Sequence, residues 1–314
     1  MLSECDRIAN DRPSSWRRSR SPMQSGAPRR ALLCVALLLA VGALMAGCSS
    51  LVFGVANLPA LSGYFVRHAD LAYGPLERQS LDVYAPSGAR DAPVIVFWYG
   101  GAWVKGSKED YRFVGAALAN AGYVTVLADY RLYPATKFPQ FLQDAALAVK
   151  WAGDHAHEYG GDPGRLFLAG HSAGAHMAAM LAVQSRWLEE VGTDPGAICG
   201  LIGLSGPYAL EPNTDELNAI FAAPWRPADW QPAALVTARS PPALLLHGAA
   251  DDVVGAVQAE KFAATLRAAG VLVDLEIYPG RGHADTVAAL SAPGRGRAPV
   301  LDAIVRFVSA RSGP

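Results

Sequence analysis

Short, continuously apolar runs alternate with longer helical patterns from residue 60 to the end of the chain. Val94–Trp98 and Ala243–Leu246 carry no charged side chain, which is typical of strands that are buried on both faces of a sheet. This alternation predicts an α/β fold, in which a mainly parallel central sheet is covered by helices on both faces. The predicted strands are Tyr64–Leu71, Ser80–Tyr84, Val94–Trp98, Val124–Ala128, Leu166–Ala169, Ile198–Leu204, Ala243–His247 and Val271–Tyr278. The predicted helices are Tyr111–Ala121, Phe138–Glu158, Ala173–Trp187, Val254–Ala269 and Pro299–Ala310.

The stretch 207–242 breaks the alternation. It contains seven prolines and two tryptophans, Trp225 and Trp230, and we expect it to form a small cap inserted between two strands. Around it, residues 64–314 are predicted to form one domain, because a chain that is 51% hydrophobic and 18% charged has enough apolar content for one sizeable core. Neither an internal repeat nor a low-complexity linker divides that region.

The first 47 residues have the pattern of an export signal. Arg29 and Arg30 precede an uncharged run, Ala31–Ala46, which ends in small residues. Sixteen uncharged residues are short for a bilayer crossing, which needs about 20, although an uncleaved anchor remains an alternative. We therefore expect a leader at 1–47 and a tether at 48–63 before the domain.

Met45-Ala46-Gly47-Cys48 resembles the bacterial lipobox. The resemblance implies that the Cys48 thiol takes a diacylglyceryl group and becomes the mature N-terminus, so that acyl chains hold the domain at a membrane. The expected location is then the bacterial cell envelope, as a lipoprotein of the periplasm or outer membrane. A periplasmic or secreted protein is the alternative.

Charge argues against nucleic acid as a partner. After residue 47 the chain carries 20 basic and 25 acidic residues, and such a mildly acidic body repels phosphate backbones. Four cysteines are too few for a disulfide scaffold. No metal site is predicted, because the His155 and His157 pair has no further ligands at suitable spacing.

The segment Gly170-His171-Ser172-Ala173-Gly174 follows a predicted buried strand and opens an alanine-rich helix. A serine on such a sharp turn holds its hydroxyl above the sheet, and the flanking glycines permit the strained backbone and close packing. We expect Ser172 to be a nucleophile, with the amide of Ala173 at the helix N-terminus stabilising negative charge.

A serine hydroxyl needs a base, and His283 is the best candidate among seven histidines. It lies in a glycine-bracketed loop after the last predicted strand, where it can reach the carboxyl edge of the sheet. His247 is the alternative base, although it ends a strand before Gly248 and a structural role at that turn is simpler.

The third group must hold the imidazole in the correct tautomer. Asp251 and Asp252 both follow the strand that ends at His247; we favour Asp251 and keep Asp252 as the alternative, because adjacent side chains point in different directions. The resulting order Ser172, Asp251, His283 is that of the α/β-hydrolase triad.

Donors for a substrate oxygen are expected after the strand Val94–Trp98. The segment Tyr99-Gly100-Gly101-Ala102-Trp103 has small residues that let backbone amides approach a ligand. The amides of Gly101 and Ala102 are the candidates, beside that of Ala173. One such donor typically contributes about 3–4 kcal/mol of transition-state stabilisation.

Together these motifs resemble carboxylesterases of the α/β-hydrolase superfamily, among them small bacterial esterases, the hormone-sensitive-lipase-like group, feruloyl esterases and kynurenine formamidases. Residues 170–174 match the nucleophile elbow, and 99–103 match all but the first residue of the His-Gly-Gly-x-Trp oxyanion segment, where Tyr99 replaces the histidine. His247-Gly248-Ala249-Ala250-Asp251 matches the family's HGxxD turn, which supports Asp251. Residues 129–134 are similar to the DYRLxP stretch, and we expect Asp129 and Arg131 to form a scaffold ion pair.

The resemblance implies hydrolysis of small or aryl and short-acyl carboxylic esters through an acyl-enzyme, without a metal or organic cofactor. An amide hydrolase of the kynurenine formamidase type is the second hypothesis, since the same three residues would serve it. A membrane-tethered binding protein without catalysis is the third. Four aromatic residues of the cap either line a substrate pocket or belong to the core: Tyr208, Phe221, Trp225 and Trp230.

Overall fold

The computed structural model describes residues 53–57 and 63–311. An eight-stranded sheet organises the region, with strand order β1-β2-β4-β3-β5-β6-β7-β8. The second strand is antiparallel to both of its neighbours, whereas the six strands from β4 to β8 are parallel, as predicted. The strands are β1 Phe65–Ala72, β2 Ser80–Pro86, β3 Ala92–Trp98, β4 Val124–Ala128, β5 Gly161–His171, β6 Ile198–Leu204, β7 Ala243–Gly248 and β8 Val273–Tyr278.

Ten α-helices between residues 63 and 311 connect and cover these strands. The connection from β3 back to β4 runs in one direction across the sheet, while those from β4 to β5, β5 to β6 and β7 to β8 run in the other. Because such crossovers are right-handed, the helices lie on both faces. They are α1 Arg112–Asn120, α2 Gln140–His155, α3 Ala173–Val183, α4 Arg186–Glu189, α5 Asp215–Ile220, α6 Pro227–Trp230, α7 Pro232–Leu235, α8 Val257–Ala268, α9 Asp285–Ala288 and α10 Val300–Ser309.

Several predicted boundaries differ from the structure by one to three residues, and two elements differ more. The predicted strand Leu166–Ala169 is only part of the second half of β5, which pairs with β3 and β6 along a greater length. The predicted helix Ala173–Trp187 ends at Val183, because Gln184 leaves the helical conformation and its side chain accepts a 2.7 Å hydrogen bond from the Trp187 indole. A separate turn of helix, α4, follows.

The proline-rich stretch 207–242 lies between β6 and β7 and carries the short helices α5, α6 and α7. Tyr208 packs into the body of the domain, where its ring stacks on Phe262 of α8 with 4.6 Å between centroids. Phe221 and Trp230 are also buried, whereas Trp225 is half-buried. Core packing therefore accounts for Tyr208.

The helices within 53–57 and 63–311 include none that is both long and apolar enough to cross a membrane. The predicted leader and Cys48 lie outside the described residues.

Candidate active site

Ser172 occupies the turn between β5 and α3 with φ 53° and ψ −118°, a strained conformation for a residue with a side chain. Close packing around the turn depends on glycine. A Cβ at Gly170 would overlap the backbone of Gly174, and one at Gly174 would overlap the carbonyl of Trp98 at the end of β3. The two glycines thus let the elbow and its helix approach the sheet closely enough to raise the hydroxyl above its carboxyl edge.

His283 lies on the loop after β8 and contacts both of the other predicted residues. Its Nε2 is 2.9 Å from Ser172 Oγ, and its Nδ1 is 2.8 Å from Asp251 Oδ2. A carboxylate can only accept, so Nδ1 carries the proton and Nε2 is free to accept from the serine hydroxyl. The structure thus joins Ser172, His283 and Asp251, from the ends of three strands, in one hydrogen-bonded chain.

Asp251 is held from several directions. Its buried carboxylate accepts from His283, from the amides of Val253 (3.0 Å) and Val254 (2.8 Å), and lies 3.1 Å from His247 Nε2. Burial alone would raise the pKa of Asp251, but the hydrogen bonds from His247, His283 and Val254 outweigh it and hold the pKa well below its usual range. The carboxylate therefore stays charged beside the imidazole.

The alternative acid, Asp252, and the alternative base, His247, both lie outside this hydrogen-bonded chain. Asp252 is exposed. His247 is buried in β7, where its Nε2 donates to the carbonyl of Val254 at 2.7 Å and lies close to Asp251. His247 thus supports the aspartate from behind, in line with the structural role that its position before Gly248 suggested.

Gly101, Ala102 and Trp103 form a turn with three successive positive φ angles of 132°, 52° and 60°. The Gly101 carbonyl closes this turn by accepting from the amides of Val104 and Lys105. Within 53–57 and 63–311, the backbone hydrogen bonds leave the amides of Gly101, Ala102 and Ala173 without a backbone acceptor. A Cβ at Gly100 would lie 2.9 Å from Ser172 Cβ, which places this turn directly against the elbow.

Tyr99, which replaces the family's histidine, anchors the same turn from below. Its ring stacks on Tyr130 at 4.7 Å, and its hydroxyl accepts a 2.5 Å hydrogen bond from Arg78. Burial, with smaller contributions from Tyr130 and Asp129, raises the pKa of Tyr99, so the hydroxyl stays protonated. The substitution therefore keeps the segment fixed through a buried aromatic and polar contact.

The predicted ion pair between Asp129 and Arg131 was wrong. Arg131 pairs with the fully buried Asp144 of α2 at 2.8 Å, while Asp129 accepts from the amide of Lys108 at 2.9 Å and lies 3.5 Å from Arg78. Asp129 and Arg131 each bind a partner from a distant element of the fold. Their positions two residues apart in the sequence do not reveal these partners.

An aromatic cluster lies beside the elbow, between the turn of residues 101–103 and the cap. Trp103 contacts Phe221 and the ring of His176, each edge to face at 5.0 Å. His176, one turn after Ser172 on α3, donates from Nε2 to the carbonyl of Trp230 at 2.7 Å, and burial lowers its pKa to about 4. Side chains from three parts of the chain thus enclose this flank with aromatic rings.

Two family models match the sequence in succession: BD-FAE over residues 81–196 and the prolyl oligopeptidase family over residues 210–311. Apo Thermogutta terrifontis esterase 2 superposes with a TM-score of 0.62 at 26% identity, covering 79% of this chain and 92% of that one. The two matched ranges contain Ser172, Asp251 and His283 and most strands of the sheet that carries them. The chain has the α/β-hydrolase fold.

Curated relatives of this α/β-hydrolase include a probable isoprenylcysteine alpha-carbonyl methylesterase of Arabidopsis thaliana, 31% identical over 70% of this chain. Esterase LipC of Mycobacterium tuberculosis is likewise 31% identical over 70% of this chain. The chain spans 51% of the Arabidopsis protein and 60% of the mycobacterial one.

Sequence reasoning missed three side chains that shape the site. Arg78 holds Tyr99, Tyr111 contacts His171, and His171 contacts the loop of His283. His171 adjoins Ser172 in the sequence, and that adjacency is the only available signal of its place in the site. Arg78 and Tyr111 are far from the motifs in sequence and carry no such signal.

Proposed function

We propose that this α/β-hydrolase is a serine carboxylesterase that cleaves small-molecule esters through an acyl-enzyme. One observation carries the proposal: the unbroken hydrogen-bonded chain from Ser172 Oγ through the His283 imidazole to the buried Asp251 carboxylate. Nucleophile, base and orienting acid are the groups that acyl transfer by serine requires.

Each step uses groups of the chain itself. Ser172 Oγ attacks the ester carbonyl as His283 Nε2 takes its proton, and Asp251 stabilises the imidazolium that forms. The amides of Gly101, Ala102 and Ala173 donate to the oxyanion. The imidazolium returns the proton to the leaving alkoxide, and water activated by the same histidine then releases the acid. The proposed cycle requires neither a metal nor an organic cofactor.

The aromatic cluster supports short-acyl or aryl esters as the substrate class. Trp103 and Phe221 present rings beside the elbow, and such rings favour apolar or flat groups. The names of the relatives describe esterases, which supports ester chemistry. One solved structure of Thermogutta terrifontis esterase 2 shows that enzyme phosphorylated by paraoxon.

A panel of p-nitrophenyl esters with acyl chains of increasing length, run beside N-formylkynurenine, tests this function. We expect turnover of the short esters, loss of about 10³-fold or more in kcat for Ser172→Ala, and no change for the exposed Ser87→Ala. Preferential turnover of N-formylkynurenine would establish the amide hydrolase instead. Failure of a fluorophosphonate to label Ser172 would favour a binding protein without catalysis.

We further propose that the domain is a lipoprotein of the bacterial cell envelope, held by acylation of Cys48. The uncharged run and the lipobox-like segment support this placement. Expressed in a diderm bacterium, the wild-type chain is expected to be processed and to take up labelled palmitate, whereas Cys48→Ala should accumulate as an unprocessed precursor without the label. Cys34→Ala, within the apolar run, is the matched control. A wild-type chain that stays in the membrane at full length and takes up no palmitate would indicate an uncleaved helical anchor.

A further inference from the structure

His171 lies at the end of β5, between the turn of residues 101–103, which carries proposed oxyanion donors, and the loop of His283. Its Nε2 is 3.2 Å from the backbone carbonyl of His283, and its Nδ1 is 3.1 Å from the Tyr111 hydroxyl. The two imidazole rings are 5.0 Å apart. On the other side, a Cβ at Gly100 would lie 2.9 Å from His171 Nδ1. One buried ring therefore contacts the segments that carry the oxyanion donors and the base.

These contacts fix the tautomer of His171. A carbonyl only accepts, so Nε2 carries the proton and donates to His283, which leaves Nδ1 to accept from the Tyr111 hydroxyl. Burial, followed by the charge of His283, lowers the pKa of His171 to about 3. Burial also raises the pKa of Tyr111, so the hydroxyl keeps its proton. Near neutral pH, the Tyr111 hydroxyl therefore donates to His171 Nδ1, and His171 Nε2 donates to the His283 carbonyl.

Backbone hydrogen bonds hold the residues on either side of His283: the Ala250 amide donates to the Arg281 carbonyl at 2.9 Å, and the Asp285 amide donates to the Gly282 carbonyl at 3.2 Å. The Thr286 hydroxyl is 3.5 Å from the carbonyl oxygen of His283, a long contact, and the Gly282 amide donates to Asp285 at 2.9 Å. The donor from His171 is therefore the shorter side-chain contact to the His283 backbone.

We propose that His171, oriented by Tyr111, is a positioning residue that holds the backbone of His283 at the distance from which its imidazole reaches Ser172. This inference rests on the proposed function and adds to it a second histidine that touches no substrate. Because a misplacement of about 1 Å can cost about 10²-fold in rate, a modest shift of this loop lowers turnover without altering the aromatic cluster.

Three variants test the role. His171→Leu removes both hydrogen bonds, His171→Gln retains a donor for the His283 carbonyl, and Tyr111→Phe removes one oxygen. We expect kcat to fall roughly 10-fold or more for His171→Leu and about threefold for Tyr111→Phe, with KM within about twofold in both. His171→Gln should recover part of the loss. Tyr84→Phe, which removes a buried hydroxyl without a partner among the described residues, is the matched control and leaves kcat unchanged.

Coupling between the two positions separates positioning from packing. If Tyr111 acts only through His171, the double variant His171→Leu/Tyr111→Phe is no slower than His171→Leu alone. Additive losses, or loss in KM alone, overturn the proposal. Should His171→Leu fail to fold, as judged by circular dichroism, Tyr111→Phe and His171→Gln decide it, and wild-type kcat in both overturns it.

The rate of fluorophosphonate labelling distinguishes this inference from the proposed function. The rate reports how well Ser172 is activated, whichever substrate the enzyme takes. A wild type that labels but cleaves no ester contradicts the esterase assignment alone, and slower labelling of the variants then still supports positioning. Equal labelling rates and equal kcat across wild type and variants overturn positioning alone. A wild type that neither labels nor turns over substrate overturns both.

Discussion

Asp251 combines burial with charge, which is costly unless the carboxylate is well supplied with donors. Two backbone amides satisfy one carboxylate oxygen, and His283 with His247 approach the other. An amide side chain at this position keeps the shape but presents an N–H group to one of these partners. The backbone donors of Val253 and Val254 hold Oδ1, so the N–H group falls on the side of the histidines.

We therefore expect Asp251→Asn to lower kcat by about 10³- to 10⁴-fold, because the amide donates to His283 Nδ1 and favours the tautomer that cannot accept the serine proton. The measurement is kcat on a short p-nitrophenyl ester. The exposed neighbour provides the control, Asp252→Asn, which should retain wild-type kcat. Comparable losses in both variants would contradict the assignment of Asp251.

For single residues, a position directly after a predicted strand was the feature that identified the candidate site residues. Ser172, Asp251 and His283 each follow a run that sequence alone identified as a strand, and the structure brings these three together. Their catalytic roles stay predictions. Residues that act through tertiary contacts, such as Tyr111 and Arg78, could not be found this way, because nothing in their local sequence shows which distant group they meet.

Among the secondary-structure elements, α3 packs so closely against β3 that the contact imposes a steric requirement on the site. Gly174 in the first turn of α3 lies against the carbonyl groups of Trp98 and Tyr99, so the elbow can approach the sheet only without a side chain there.

Gly174→Ala should therefore destabilise the protein by about 1–3 kcal/mol or more, since backbone atoms rather than a flexible side chain must yield. A melting temperature lower by several degrees is expected, together with reduced kcat. Gly153→Ala is a matched control on α2, where the added Cβ lies 3.9 Å from Leu166 Cδ1. In this open helical position alanine should raise stability by about 0.5–1 kcal/mol. A neutral Gly174→Ala would contradict the steric argument.

Periodicity predicted the order and type of the major elements but not every end. Continuously apolar runs such as Val94–Trp98 were found as strands because both of their faces are buried. Helix ends depend on local contacts, as at Gln184, whose side chain bonds to Trp187 instead of continuing the helix. The short helices of the cap were not predicted, since one turn of helix has too few residues to show a period.

At the scale of the whole domain, the buried His171 and His176 join separate segments in their neutral forms. His171 connects β5 to the loop of His283, and His176 connects α3 to the carbonyl of Trp230 in the cap. Burial lowers the pKa of His171 to about 3 and that of His176 to about 4, from an ordinary value near 6.5. The folded protein resists protonating either ring, whereas the unfolded chain does not.

The sign of the resulting pH dependence follows from proton uptake. Between pH 6.5 and about 4 the unfolded chain binds more protons than the folded one at these two positions, so stability falls as the pH is lowered through that window. Each histidine contributes about 1.4 kcal/mol per pH unit, and both contributions are fully restored above pH 6.5. Urea unfolding at several pH values measures this slope. Removing one titrating ring, as in His176→Gln, should lower the slope by about one proton between pH 4.5 and 6 even if stability at pH 7.5 also drops. An unchanged slope would show that protonation of His176 does not cause the loss of stability at low pH.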